Sequence, residues 1–317
     1  MNLHLLRVFL TVVEQQSFSR AAEALFVSQS AVSKAVRELE HQLDLPLIER
    51  SGAEAKAVRG VQLTDHGNAV FEHARAIFAL ERIASEDVRD RVELRQGSLR
   101  IGASTTVAAY WLPQSLGPFV RRHAGLTVEL VVGNTEQISR AVIDCRVDVG
   151  FVEGAVEDAR IQASLWRSEP LRLIAAADSA LGAKRRPSLA ELARQTWLVR
   201  EQGSGTRQVA QSLFAARGIE PARVIEIGSN EAIAHAVAAD AGIALLPETV
   251  VADLVTMQRV RTIKLDEDAS MTRPLYRLEL VNRPRAPALQ AFLDQGEAAV
   301  SAPARARGPV RRRQGPT

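Results

Sequence analysis

SQSAVSKAVRELE, residues Ser28 to Glu40, is the stretch whose reading decides the fold. Projected as a helix at about 100° per residue, Val32, Ala35, Val36 and Leu39, continued by Leu43, fall on one side. Ser30, Ser33, Lys34, Arg37 and His41 fall on the opposite side, with no acid among them. Glu38 and Glu40 lie at the flanks of this polar stripe. Ser28 stands where an N-cap belongs, so its hydroxyl can answer an orphan N–H of the first turn. The apolar side suffices to hold the helix in a core. A solvated face is the ordinary reading of the other side, and only its surroundings argue for more.

Upstream, LLRVFLTVVEQ carries Leu6, Phe9, Leu10 and Val13 at helical spacing. SFSRAAEALFV follows, with Ser17 or Ser19 as cap and a short helix packing through Ala21, Ala22 and Leu25. A tight turn at Phe26 and Val27 leads into the helix that starts at Ser28. A short helix, a brief turn and a longer helix with small residues at the crossing make helix-turn-helix spacing. The second helix of such a unit enters the major groove of DNA. Small residues let its backbone approach base edges, and Lys34 and Arg37 then reach phosphates or guanine. Net charge argues the other way, because residues 1–60 hold seven Lys/Arg and seven Asp/Glu. Position outweighs the sum: Ser17, Arg20, Lys34, Arg37, Arg50 and Arg59 are expected to line one surface.

Downstream, LTDHGNAVFEHARAIFALERIASEDVRDRVEL has Thr64 as cap and Asp65 in the first turn, where a negative charge suits the helix dipole. No glycine interrupts it between Gly67 and Gly97. Val70, Ala74, Ile77, Ala84 and Val88 alternate by three and four, with a polar break at Glu81. A long helix with one apolar seam wants a partner helix. A second copy of the chain is preferred over a partner in the same chain, because helix-turn-helix proteins commonly read two half-sites.

FLTVVEQQSFSRAAEALFVSQSAVSKAVRELEHQLDLPLIER, followed by LTDHG, resembles the N-terminal domain of LysR-type transcriptional regulators. The similarity runs from residue 1 to about residue 300. The resemblance implies a winged helix-turn-helix over 1–64, a dimerising linker helix over 65–94 and an effector-binding domain over 97–300. That last part would be two-lobed, α/β, and similar to periplasmic solute-binding proteins, with lobe I at about 97–163 and 271–300 and lobe II at about 164–270. By position, Gln29, Ser30 and Ser33 would face bases, while Ser17, Arg20, Lys34 and Arg37 would serve mainly the DNA backbone. Ser28, Arg50 and Arg59 complete the expected DNA-binding set. The resemblance also implies a homodimer through the linker helix, suggests a homotetramer, and adds RNA polymerase as a candidate partner. Two departures stand out. Ser30 occupies a position where the family usually has Pro, and SGAEAKAVRGVQ after Arg50 makes the wing several residues longer, with Lys56 and Arg59 inside it.

From Ser98 the pattern changes to short strands alternating with helices. LRIGAS, LTVELVVG and VDVGFV read as strands, and WLPQSLGPFVRRHA and TEQISRAVIDC as helices. LRLIAAA opens a second lobe with strands near TWLVR, RVIEI and IALLP; LYRLELVN and the helix APALQAFLDQGEAAV return to the first. The alternation predicts an α/β fold with mostly parallel sheets, which bind ligands beyond the carboxyl ends of their strands. Polar loops fall there: Ser104, Thr105 and Thr106; Asn134 and Thr135; Glu153; Gly203, Ser204, Gly205 and Thr206; and Asn230. Most open a helix, whose free N–H groups carry roughly half a positive charge and suit a carboxylate, sulfur oxyanion or phosphate. Any one loop alone reads as ordinary N-capping. Several at one edge of two lobes read as a cleft for a small anionic effector. Glu153 argues against a highly charged anion, and Arg207 is the residue expected to offset it.

Catalysis finds little support. GSGT lacks the Lys of a P-loop, and no Gly stands two residues before Ser204 as a nucleophile elbow needs. The six histidines form no HExxH or similar ligand spacing. Cys145 is the only cysteine, which excludes an intramolecular disulfide and fits a reducing cytoplasm. No metal or cofactor is expected. No apolar run reaches the length of a membrane span, and the N-terminus reads as folded helix rather than signal peptide. At 317 residues, with 46% hydrophobic and 24% charged residues, the chain has the make-up of a soluble protein of two or three domains. Five arginines between Pro303 and Thr317, with no acid among them, exceed the whole-chain net charge of +3, so the rest sums to −2. This tail reads as disordered and solvated. The leading reading is a cytoplasmic, LysR-type DNA-binding regulator and not an enzyme. The alternative is a small-ligand-binding protein or α/β enzyme whose N-terminal helices serve only dimerisation.

Overall fold

A computed structural model describes residues 2–49, 61–90, 97–154, 156–183, 186–265 and 271–301. Three helices open the chain: α1 (Leu3–Gln15), α2 (Phe18–Leu25) and α3 (Gln29–Leu43). Each starts on a side chain that accepts from its first turn. Asn2 takes the His4 N–H, Ser17 the Arg20 N–H and Ser28 the Ala31 N–H. Ser17, not Ser19, is therefore the cap of α2. Each ends on a left-handed residue, Gln16, Phe26 and Asp44. Their apolar stripes meet in one core around Phe9, Ala21, Val32, Val36 and Leu39. An antiparallel bridge between Ile48 and Leu63, with Glu49 N–H donating to the Gln62 carbonyl at 2.9 Å, forms the stem of the expected wing. Arg50, Lys56 and Arg59 lie outside the described residues.

The next helix, α4 (Asp65–Asp90), begins as its cap predicted: Thr64 Oγ1 accepts from the Gly67 N–H at 2.9 Å. Gly67 is required by contact, since a Cβ there would lie 1.9 Å from the Leu47 carbonyl oxygen. The apolar seam needs correcting. Ala74 is buried, and Val70 and Ile77 pack, in the core of the first three helices of the same chain. Arg7 on α1 stacks on Phe78 and pairs with Glu81 at 2.7 Å, so even the polar break is used within the chain. A seam two turns from a helical domain is covered by that domain first. Ala84 is exposed, and the side chain of Val88 lies outside the described residues.

The remaining elements are β1 (Gly97–Ser104), a π-helical turn (Val107–Trp111), α5 (Leu112–Arg122), β2 (Leu126–Gly133), α6 (Thr135–Ile143) and β3 (Val149–Glu153). Then come β4 (Ile161–Ala176), α7 (Leu189–Ala193), β5 (Thr196–Val199), α8 (Gly205–Arg217), β6 (Arg223–Glu226), α9 (Asn230–Ala238), β7 (Ala244–Pro247), α10 (Glu248–Thr256), β8 (Val260–Ile263), β9 (Thr272–Leu280) and α11 (Pro287–Ser301). One sheet runs β2-β1-β3-β9-β4-β7, with β8 also on β4, and β5 pairs with β6. β1 is parallel to β2 and β3, and β5 to β6, but every pairing of β4 and β9 is antiparallel. The sheets are therefore mixed, not mostly parallel, because the two strands that pass between the lobes run in opposite directions.

β4 is one continuous strand of 16 residues. Its first part, Ile161 to Pro170, pairs with β9; its second part, from Leu171, pairs with β7 and β8. The lobe boundary expected at about residue 164 falls inside this strand, and the crossing lies near Pro170 and Thr272. Lobe I packs around Leu99, Ile101, Phe119, Phe151 and Phe292. Lobe II packs around Leu173, Trp197 and Leu245 on one side of its sheet and Ile233, Leu246 and Val251 on the other. Two arginines a heptad apart fasten α4 to lobe I: Arg75 pairs with Asp144 at 3.0 Å, and Arg82 with the buried Asp148. Asp148 also accepts from Arg283 at 2.8 Å and from the Arg100 N–H at 2.9 Å.

Candidate functional site

Two places carry the residues singled out from the sequence. The first is the outer face of α3. Ser28, Gln29, Ser30, Lys34 and Arg37 are exposed, Ser33 is half-buried, and Arg20 and Ser17 sit beside them on α2 and its cap. Val32, Val36 and Leu39 point the other way, into the core. Among the described residues the stripe is thus free of packing. Its small residues are tied to one another: the Ser28 and Ser30 hydroxyls lie 3.0 Å apart, and Gln29 Nε2 donates to Ser33 Oγ at 3.3 Å. Ser30, where the family usually has Pro, therefore shares the cap rather than fixing φ. Among the described residues Arg20, Lys34 and Arg37 make no ion pair, so their charge is available to an outside polyanion. Phe26, 95% exposed at the turn, marks the entry to this face.

The second place lies between the lobes. Ser104, Thr106, Thr135, Glu153, Ser204, Thr206 and Asn230 are all polar and all buried. Asn230 opens α9 in lobe II, and its Nδ2 donates to Thr106 Oγ1 in lobe I at 2.8 Å and lies 3.4 Å from Thr206 Oγ1. Among the described residues its buried Oδ1 has no hydrogen-bond partner. Asn134 caps α6 through its oxygen, and its Nδ2 reaches across to Glu201 Oε1 at 3.4 Å and to the Gln202 carbonyl at 3.3 Å. Glu136 N–H donates to the Gly203 carbonyl at 3.2 Å. A Cβ at Gly205 would lie 2.3 Å from the Glu153 carbonyl oxygen, so the start of α8 sits directly on the end of β3. Ser204 is the N-cap of α8 but makes no capping bond. Ser104 accepts from the Val107 N–H, and Thr135 donates to the Glu153 carbonyl, so these two hydroxyls are used locally.

Four charged residues that the sequence reading missed organise this region. Arg273 is fully buried at the start of β9. It donates to Glu169 from Nη2 at 2.6 Å and from Nε at 2.9 Å, lies 3.2 Å from Glu153, and reaches Thr206 Oγ1 at 2.6 Å. Glu169 in turn accepts from Trp111 Nε1 at 2.9 Å and from Thr249 Oγ1 at 2.7 Å. Arg200 forks onto Glu201 at 2.7 and 2.8 Å and reaches Thr105 Oγ1 at 3.3 Å. Burial is the largest single influence on the Glu201 pKa and raises it, but the hydrogen bonds from Arg200, from its own backbone N–H and from Asn134, with the Arg200 charge, together outweigh it and hold the carboxyl below its usual range. Arg207 does not offset Glu153. It pairs with Glu226 and donates to the Arg200 carbonyl at 2.9 Å, because its place on α8 turns it toward β6; Arg273 takes the role instead.

No group of three or more His, Cys, Asp or Glu among the described residues could hold a metal ion. Cys145 is buried, has φ of 53°, and burial pushes its thiol pKa up. No helix among the described residues is long and apolar enough to cross a membrane.

Comparisons with known proteins match two parts of the chain. Residues 3–68 match the model of the bacterial regulatory helix-turn-helix protein, lysR family, and residues 93–300 match the LysR substrate binding domain. The HTH-type transcriptional regulator YeiE of Escherichia coli (strain K12), itself uncharacterized, is 32% identical over 92% of this chain and 96% of its own. The regulatory domain of CcmR from Synechocystis PCC6803, solved in complex with 2-PG, is 30% identical, with a TM-score of 0.59 over 65% of this chain and 98% of that one. Full-length CbnR, solved with its target DNA, shares the fold at 23% identity, with a TM-score of 0.63 over 94% of this chain and 100% of that one.

Proposed function

The chain belongs to the LysR-type transcriptional regulators, DNA-binding proteins with an effector domain, and we propose that it reads DNA with the outer face of α3 under control of a small anionic metabolite held between its lobes. Gln29, Ser30 and Ser33 meet base edges in this reading. Ser17, Arg20, Ser28, Lys34 and Arg37, with Arg50 and Arg59 from the wing, hold the phosphate backbone. The effector site draws on Thr105, Thr106, Asn134, Glu153, Gly203, Ser204, Gly205, Thr206 and Asn230, with Ser104 and Thr135 shaping its loops.

The observation that carries the effector reading is the unpartnered Asn230 Oδ1, buried between lobes beside the uncapped N-terminus of α8. A buried amide oxygen without a donor costs free energy, and an uncapped helix start offers N–H groups to an anion. A ligand with one anionic group and one hydrogen-bond donor satisfies both. Glu153, Glu169 and Glu201 against Arg200 and Arg273 leave the surroundings one charge negative, which favours a mono-anion over a dianion. The CcmR domain bound to 2-PG is a precedent for a small ligand on this kind of domain. In the cell, the protein works as a cytoplasmic homodimer or tetramer that communicates with RNA polymerase. The dimer face on α4 is the exposed line Ala69, Ala76, Leu80 and Ala84, not the seam buried against α1.

A thermal-shift screen of small carboxylates, sulfur oxyanions and phosphorylated metabolites tests the effector reading. A hit should raise the melting temperature of the wild type and leave Asn230→Ala and Thr206→Ala unmoved. A hit whose shift survives in both variants would place the effector elsewhere.

A further inference from the structure

Phe26 stands in the turn between α2 and α3 and departs from its surroundings in two ways. It is 95% exposed, whereas Phe18 and Leu25 at the two ends of α2 pack against the helical core. Its backbone is left-handed, with φ of 56° and ψ of 39°. Glycine or asparagine is the ordinary residue at such a helix end, because a Cβ is crowded there. A phenylalanine in this place strains the backbone, and among the described residues it recovers nothing by burial. The turn is nonetheless well held. Phe26 N–H donates to the Glu23 carbonyl at 3.2 Å, and Val27 N–H to the Ala22 carbonyl at 3.0 Å. Ser28, two residues on, caps α3 and ties to Ser30. Phe26 therefore keeps a set place beside the first turn of α3.

The neighbours of the ring indicate what covers it. Val27 is 46% exposed, and Arg20, Lys34 and Arg37 make no ion pair among the described residues. An apolar spot rimmed by unpaired cations and small hydroxyls complements a polyanion that carries apolar groups of its own. Duplex DNA is such a polyanion, and the thymine 5-methyl is the apolar group in its major groove. In helix-turn-helix docking the first helix crosses the DNA backbone, and the N-terminal residues of the second reach base edges. A residue in the turn between them stands where the chain passes from backbone to groove.

We propose, resting on the DNA reading of α3, that Phe26 is a further specificity-determining residue, whose ring covers the 5-methyl of one thymine at the edge of the half-site. Gln29, Ser30 and Ser33 offer only polar groups to base edges, so this contact supplies the apolar part of the readout. It distinguishes thymine from cytosine, which lacks the methyl. Taking one such group out of water is worth roughly a fourfold change in affinity.

A double-mutant cycle between protein and DNA tests the contact. The duplex enriched from random DNA by the full chain is synthesised with deoxyuridine, which lacks only the methyl, replacing each thymine in turn. The wild type should lose affinity about fourfold at one thymine position. Phe26→Asn should bind the thymine and deoxyuridine duplexes alike at that position. It should melt no lower than the wild type, because asparagine accepts the left-handed turn and the lost ring packs on no core. Phe26→Tyr, which keeps the ring, should keep the discrimination. A wild type indifferent to every replacement, a selected site without thymine, or an equal loss in the wild type and Phe26→Asn would overturn the contact and leave the DNA reading of α3 standing. A melting temperature lowered by several degrees in Phe26→Asn would make the ring structural and overturn it too. No enriched duplex at all would overturn both readings.

Discussion

Arg273 is fully buried yet charged, and its guanidinium reaches β3, β4 and α8 at once through Glu153, Glu169 and Thr206. Removing it leaves two carboxylates buried without a counter-charge. Arg273→Met should therefore cost about 3–5 kcal/mol, measured by chemical denaturation, and adding Glu169→Gln should recover part of the loss. Glu201 sets a pH dependence. Its pKa is lowered in the folded chain, so its contribution is present above the ordinary carboxylate pKa of about 4.3 and fades as pH falls through the lowered value. Denaturation midpoints taken down the acid range should fall more steeply for the wild type than for Glu201→Gln. The hydroxyl and amide residues between the lobes were legible in the sequence, because loops after strands announce themselves. Glu169 and Arg273 were not. Each stands beside a proline, in SEPLRL and MTRPLY, and reads locally as part of a turn; only the β4–β9 ladder brings together residues 104 positions apart.

At the scale of elements, α3 was the most legible part of the chain. Periodicity, cap and opposed faces all agreed, and the helix spans Gln29–Leu43 with Ser28 as cap. The two kinds of DNA contact proposed for it predict two kinds of loss. Ser33→Ala should weaken only the specific site, by about 1–3 kcal/mol, whereas Lys34→Ala should weaken all sequences alike and reduce the salt slope by about one. Footprint titration at several salt concentrations separates them. β4 was the least legible element. Pro170 argues against a strand interior, yet here it marks the point where the strand leaves β9 and joins β7. The linker helix falls between these extremes. Its length and start followed from sequence, but the partner of its seam did not, because periodicity shows that a face is apolar and not what covers it.

At the scale of the whole molecule, lobe I is fastened to the DNA-reading half through α4, by Arg75 to Asp144 and Arg82 to Asp148. Lobe II reaches lobe I through Asn230, Arg200 and Asn134, contacts that an effector can exchange for its own. Such a ligand shifts the balance between lobe arrangements only by as much as it prefers one of them. In the dimer proposed along Ala69, Ala76 and Leu80, that shift would change the spacing of two α3 helices. Leu80→Glu should move the sedimentation profile toward the monomer while leaving the fold intact. The central claim, that α3 presents Gln29, Ser30 and Ser33 to base edges, is tested most directly by selecting binding sites from random duplex DNA with the full chain. Enrichment of a two-fold related pair of half-sites, with base preference altered at defined positions by Ser33→Ala, is the predicted result. No enriched sequence, or one whose base preferences are the same in the wild type and Ser33→Ala, would contradict it.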